Sequence, residues 1–241
     1  TYIGGGVYIH RDDLFDPVEL LAVIDREKPT FSSMIPTHYN LILNVPEEEA
    51  GKYDVSSIST LLCSSAPVHK QTKLDIMEFF GGAALFEAYG STEAGLVTLL
   101  RPEDQMKKLG SIGLECVGTG RMMLLDDDRN PVGVGEVGEI FSTGPMLFDE
   151  YYKMPEKTAD SHEGTYFSAG DMGVMDEDGY YSIVDRKHNM IITGGEHVYP
   201  NEMEEVVCKH DKVFDAAIIG LPHDKWGEAV AAVVIPKDDV E

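Results

Sequence analysis

The 241 residues suffice for more than one folding unit, each with its own core. With 43% hydrophobic and 26% charged residues, and no apolar run long enough to cross a bilayer, the sequence reads as a soluble chain with no transmembrane segment. The formal charge of -24, from 19 basic and 43 acidic residues, argues against nucleic acid and anionic membrane as partners, because both demand a basic face.

Asp16-Pro17 opens a helical pattern in which Val18, Leu20, Leu21, Val23 and Ile24 form an apolar stripe. Phe31 to Ile35 reads as a short buried strand, and Thr37 to Leu43 as a second helix stopped before Pro46. Ile58 to Cys63 is β-like, Lys70 to Phe80 helical up to Gly81-Gly82, and Ala84 to Ala88 a further strand. This alternation predicts a parallel sheet covered on both faces. After Gly95 the pattern changes to short β runs separated by turns: Gly113–Val117, Met122–Leu125, Gly138–Thr143 and Val174–Val184, with Asp178-Gly179 as a hairpin signal. Near Asn189 a third pattern starts, with a strand at Met190–Ile192, a helix at Asn201–His210, and strands at Val213–Leu221 and Ala229–Ile235. The fold class expected is α/β: residues 1–95 as part of a parallel-sheet α/β subdomain, 96–185 as a β-rich (distorted barrel) subdomain, and 186–241 as a hinge with a truncated small α+β C-terminal domain.

Cys63, Cys116 and Cys208 are odd in number, far apart and without metal-ligand spacing, which reads as reduced thiols in a cytoplasm. His10, His38, His69, His162, His210 and His223 show no ligand spacing either.

Three blocks carry chemistry. Glu87-Ala88-Tyr89-Gly90-Ser91-Thr92-Glu93 follows a predicted strand; Tyr166-Phe167-Ser168-Ala169-Gly170-Asp171 and Asp185-Arg186-Lys187-His188-Asn189 through Gly194-Gly195-Glu196-His197-Val198-Tyr199-Pro200 come later. Each block alone is weak. Ser91-Thr92-Glu93 by itself reads as a helix cap with an acidic first turn. A lone Gly-Asp reads as a turn, and Arg186 beside Asp185 as a surface pair. In order and spacing together they resemble the adenylate-forming (AMP-binding) superfamily, in particular its AMP-forming acyl-CoA synthetases, from about Gly4 to the last residue.

The resemblance implies a two-step reaction: a carboxylic acid attacks the α-phosphate of ATP, giving acyl-AMP and pyrophosphate, and the thiol of coenzyme A then displaces AMP. It places Ser65, Ala66 and Pro67 along adenine, although this stretch reads equally as an ordinary strand-to-helix turn. Glu87 and Ala88 fall near the base or sugar, Tyr89 offers a ring face to adenine, and Gly90 and Ser91 line the same stretch. Thr92 would bond the α-phosphate, and Glu93 would hold Mg²⁺ as a hard oxygen ligand. Asp171 would accept from both ribose hydroxyls, with Gly170 permitting the turn before it. Arg186 would present its donor fork to ribose or phosphate, and Ile183 would pack near the base. Thr92, Glu93 and Asp171 would face one AMP-shaped pocket with Arg186 at its rim. His188 falls at the interdomain hinge, where Asp or Lys is common, and Asn189 replaces a common Asp; both are departures. Gly194 and Gly195 would line the pantetheine channel, and also suit a hairpin turn. Trp226 would stack on coenzyme A or pack half-buried.

The Gly/Ser/Thr-rich phosphate loop and the catalytic lysine of the family do not occur in these residues, and Lys237 lacks that lysine's context. The expectation is therefore a fragment nearly inactive alone in adenylation, of a protein using ATP, Mg²⁺, coenzyme A and a fatty or aromatic acid, with a homodimer allowed. The alternatives are an enzyme delivering acyl-AMP to a carrier protein and a non-catalytic nucleotide-binding module. The run Gly194 to Pro200 favours coenzyme A over a carrier.

Overall fold

A computed structural model describes residues 4–9, 14–66, 68, 70–118 and 121–237. The chain divides into two compact units, Thr1–Ser91 with Thr98–Leu114, and Thr92–Val97 with Glu115–Glu241.

In the first unit, helix α1 (Pro17–Glu27) starts where the sequence sets it. Asp16 accepts from the amides of Val18 and Glu19 at 2.8 and 3.3 Å, and Pro17 occupies the first turn. Its stripe buries Leu21, Val23 and Ile24. Strand β1 (Phe31–Met34), helix α2 (Pro36–Leu43), the short helix α3 (Glu47–Ala50), strand β2 (Thr60–Ser64), helix α4 (Lys70–Phe79) and strand β3 (Ala84–Ser91) follow. β1, β2 and β3 pair in parallel, with Met34 opposite Cys63 and Cys63 opposite Glu87. Tyr39, Ile42, Leu61, Ile76 and Phe80 fill the core, each worth roughly 1.5–3 kcal/mol of burial. The parallel α/β arrangement is as the alternation predicts.

β3 runs on to Ser91, beyond the predicted end, and the chain turns at residues 92–94 into β4 (Gly95–Leu100). The helix cap suggested by Ser91-Thr92-Glu93 is thus a strand-to-strand turn. The sheet order is β1-β2-β3-β4-β5, where β5 is Leu114–Glu115.

The second unit holds β6 (Met122–Leu125), β7 (Val137–Ser142), α5 (Pro155–Asp160), β8 (His162–Glu163), β9 (Tyr166–Phe167), β10 (Asp171–Met175) and β11 (Tyr181–Arg186). These strands form an open sheet of order β11-β10-β7-β9-β8 with β6 on β7. Among the described residues the strands do not close, so the expected barrel is an open sheet here. The β10–β11 hairpin turns at Gly179 (φ 83), where Asp176 accepts from the amides of Asp178 and Tyr180. After a 3-10 turn at Lys187–Asn189 come β12 (Ile191–Thr193), β13 (Glu196–Val198), α6 (Pro200–Val207), β14 (Val213–His223) and β15 (Gly227–Pro236), in a sheet of order β13-β12-β15-β14. No helix among the described residues is long and apolar enough to cross a membrane.

Candidate active site

The β10–β11 hairpin places Asp171 directly opposite Arg186. Arg186 Nε lies 3.2 Å from Asp171 Oδ1; the Asp171 side chain is buried and that of Arg186 exposed. Only the guanidinium side of the pair stands in solvent, where a ligand can reach it. Gly170 has φ 82, the left-handed backbone that the sequence assigned to the turn before Asp171. Ile183, opposite Gly173 on the same hairpin, is half-buried.

Thr92 and Glu93 belong to this second unit. Thr92 is exposed and Glu93 half-buried. Glu93 is held through both backbone and side chain. Its backbone carbonyl accepts the amide of Phe148 at 2.7 Å, and its Oε1 accepts the Tyr151 hydroxyl at 2.8 Å. Burial, then the neighbouring Glu93, push the Tyr151 phenol up to about 12. Tyr151 sits in an aromatic cluster with Phe148 and Phe167, and Lys157 Nζ stands 4.1 Å over its ring. Nothing in local spacing singles out Tyr151, which lies 58 positions from Glu93. No group of three or more His, Cys, Asp or Glu side chains that could cage a metal occurs among the described residues.

The remaining nucleotide candidates lie in the first unit. Ser65, just past β2, has φ 74, a left-handed backbone uncommon outside glycine. Ala66 follows it, exposed, and Pro67 lies outside the described residues. Ala88, Tyr89, Gly90 and Ser91 form the last half of β3; Ala88, Tyr89 and Ser91 are half-buried and Gly90 exposed. Glu87 is buried and forms an ion pair with the buried Lys73 of α4. Burial raises the Glu87 carboxyl above its usual range despite that ammonium. Burial and Glu87 together push the Cys63 thiol up to about 12. The Glu87 carboxylate is thus spent on Lys73, a partner that the sequence did not suggest.

The coenzyme A candidates meet each other. Gly194 and Gly195 (φ 60 and 91) make the β12–β13 hairpin turn. The Gly194 amide donates to Trp226 O at 2.8 Å, and a Cβ on Gly194 would lie 2.9 Å from Trp226 Cε3. Trp226 is 47% exposed, with Lys225 Nζ 4.3 Å above its ring. His188 is exposed within the 3-10 turn.

Comparison with known proteins identifies the family. The family model for AMP-binding enzyme matches residues 1–152, and that for AMP-binding enzyme C-terminal domain matches residues 202–241. A medium/long-chain-fatty-acid–CoA ligase, FadD8 of Mycobacterium tuberculosis, is 35% identical over 98% of this chain and 41% of its own length. Feruloyl-CoA synthase of an Amycolatopsis species is 37% identical over 98% of this chain and 47% of its own. The structure of o-succinylbenzoate coenzyme A synthetase from Bacillus subtilis in complex with ATP and magnesium superimposes with a TM-score of 0.80 at 27% identity, covering 94% of this chain and 46% of that one. The chain therefore spans about half the length of the relatives it matches. With a matching family model over more than half of its residues, this chain belongs to the AMP-binding enzyme family.

Proposed function

We propose that the full protein is an AMP-forming acid–thiol ligase, an acyl-CoA synthetase. The carboxylate oxygen of the acid bonds to the α-phosphorus of ATP as the bond to pyrophosphate breaks. The sulfur of coenzyme A then bonds to the acyl carbon as AMP leaves. The observation that carries the reading is the pairing of Asp171 with Arg186 on adjacent strands. A buried carboxylate able to accept two hydroxyls beside an exposed donor fork suits the ribose and phosphate of one nucleotide.

In this reading Thr92 bonds the α-phosphate and Glu93 holds Mg²⁺, which supplies charge neutralisation on the phosphates when bound. Tyr89, with Gly90 and Ser91, faces adenine, along with Ser65, Ala66 and Pro67; Glu87, on the same strand and paired with Lys73, lies near the base or sugar. Residues 1–95 and 96–185 form the large domain, 186–241 belong to a small mobile domain, and His188 is its hinge. Gly194, Gly195 and Trp226 line the coenzyme A side. Cys63, Cys116 and Cys208, none of them in a disulfide, suit a cytoplasmic setting. The acid is fatty or aromatic. The 241 residues alone adenylate poorly, since they hold no Gly/Ser/Thr-rich phosphate loop.

The test incubates the full protein with ATP, Mg²⁺, coenzyme A and a panel of fatty and aromatic acids, with AMP, pyrophosphate and acyl-CoA measured together. Equal yields of AMP and acyl-CoA with at least one acid support the reading. Acyl-AMP without thioester redirects it to a carrier-protein acceptor. No acid-dependent pyrophosphate overturns it.

A further inference from the structure

Four hydrogen bonds close a ring behind the Asp171–Arg186 pair. The Ser168 hydroxyl donates to Glu139 Oε1 at 2.7 Å and accepts the Gly170 amide at 2.9 Å. Lys187 Nζ donates to Glu139 Oε2 at 3.0 Å, and the Lys187 amide donates to Gly170 O at 2.7 Å. The path Glu139–Ser168–Gly170–Lys187 therefore returns to Glu139. Two of its members adjoin the nucleotide pair in sequence: Gly170 precedes Asp171, and Lys187 follows Arg186. Glu139 and Ser168 are buried, 8% and 6% exposed. β7 carries Glu139 opposite Met172, one residue past Asp171. Lys187 is steadied further by Asp127 at 2.9 Å.

We propose that Glu139 is a positioning residue for nucleotide recognition, fixing Asp171 and Arg186 at the separation that a ribose requires. The chemistry asks for a carboxylate. Both ring partners of Glu139 are donors, a hydroxyl and an ammonium, and only an ionised carboxylate accepts from both. Glutamine would turn an N–H against one of them and loosen the turn that carries Asp171. The proposal rests on the reading of Asp171 as the ribose-binding residue, so its test must separate the two.

Binding of AMP and of 2′,3′-dideoxy-AMP to the full protein is measured by calorimetry for the wild type and for Asp171→Asn, Glu139→Gln, Ser168→Ala and Ser168→Thr. The quantity read is the preference for AMP over the analogue without ribose hydroxyls. For the wild type it is expected to be about tenfold or more. Asp171→Asn should abolish the preference. Glu139→Gln and Ser168→Ala should cut it by about fivefold, and Ser168→Thr, which keeps the hydroxyl, should retain it. A merely structural role would weaken both ligands equally and leave the preference intact. If Asp171→Asn loses the preference while both Glu139→Gln and Ser168→Ala keep it, the positioning role is overturned and the ribose role stands. If Asp171→Asn keeps it, both fall. Should Glu139→Gln not fold, the Ser168 pair decides.

Discussion

The carboxylate of Asp185, on β11, accepts the backbone amide of Asn201 at 3.0 Å and so caps the first turn of α6 from another sheet. The residue at that helix's own cap position, Tyr199, makes no side-chain capping bond. Asp185 is 1% exposed and accepts two further donors, the Arg186 amide at 2.6 Å and Asn189 Nδ2 at 3.1 Å; Asn201 Nδ2 returns a bond to Val184 O at 3.3 Å. One buried carboxylate thus ties the 3-10 turn and α6 to the β10–β11 hairpin.

Removing that carboxylate leaves three donors without their charged acceptor. Asp185→Ala should cost about 2–4 kcal/mol, read as a fall in the urea midpoint, and the Asn201 amide should exchange with solvent faster. An unchanged midpoint would show that the donors find water at no cost.

Asn189 has a physical reason to depart from the common Asp. Its amide donates to Asp185, so Asn189→Asp would put a second carboxylate against the first. The variant should lose about 1–2 kcal/mol, and less at low pH, where one carboxyl takes up a proton. Stability measured across the acid range checks the sign.

Lys187 offers a second pH dependence. Burial opposes its charge, but the bonds to Asp127 and Glu139 outweigh burial and hold its ammonium above the ordinary lysine value. A folded pKa above the unfolded one means that the stabilisation is fully present below about pH 10.4. It is lost as pH rises through the raised folded value. Lys187→Gln should therefore be less stable than wild type at neutral pH, with the gap narrowing only in strong alkali. A gap that stays constant through the alkaline limb would contradict the assignment.

How much of this was legible in sequence depended on distance along the chain. The α1 start at Asp16-Pro17 and the Asp178-Gly179 hairpin are local chemistry, read within a few residues, and the structure has both. The resemblance names Asp171 and Arg186 separately; that they pair with each other follows from the register of the β10–β11 hairpin, which the turn residues alone do not reveal. β4 is not legible, because Leu96 to Leu100 is apolar without clear alternation. β13 is short and polar. Tyr151 on Glu93, Asp185 on Asn201 and Glu139 on Lys187 join residues 58, 16 and 48 positions apart. No local pattern encodes such bonds.

Tyr151→Phe removes one charge-assisted bond from Glu93 and keeps the ring in its aromatic cluster. The account expects the Mg²⁺ concentration for half-maximal rate of the full protein to rise about tenfold, with little change in thermal stability. An unaltered Mg²⁺ dependence would mean that the Glu93 carboxylate keeps its place without Tyr151.

Trp226 is the sole tryptophan in the sequence, so its fluorescence reports on Gly194 directly. In Gly194→Ala the new methyl would meet the indole at 2.9 Å on a left-handed backbone. The substitution should shift the emission spectrum and cost about 1–2 kcal/mol. Coenzyme A should quench the wild-type emission and quench the variant less. Equal quenching in both would separate Trp226 from the glycine turn.

The most direct measurement is a crystal structure of the full protein with AMP. The account predicts the Asp171 carboxylate within hydrogen-bond distance of both ribose hydroxyls, with the Arg186 guanidinium reaching ribose or phosphate oxygen. A nucleotide bound elsewhere, touching neither Asp171 nor Arg186, would contradict it.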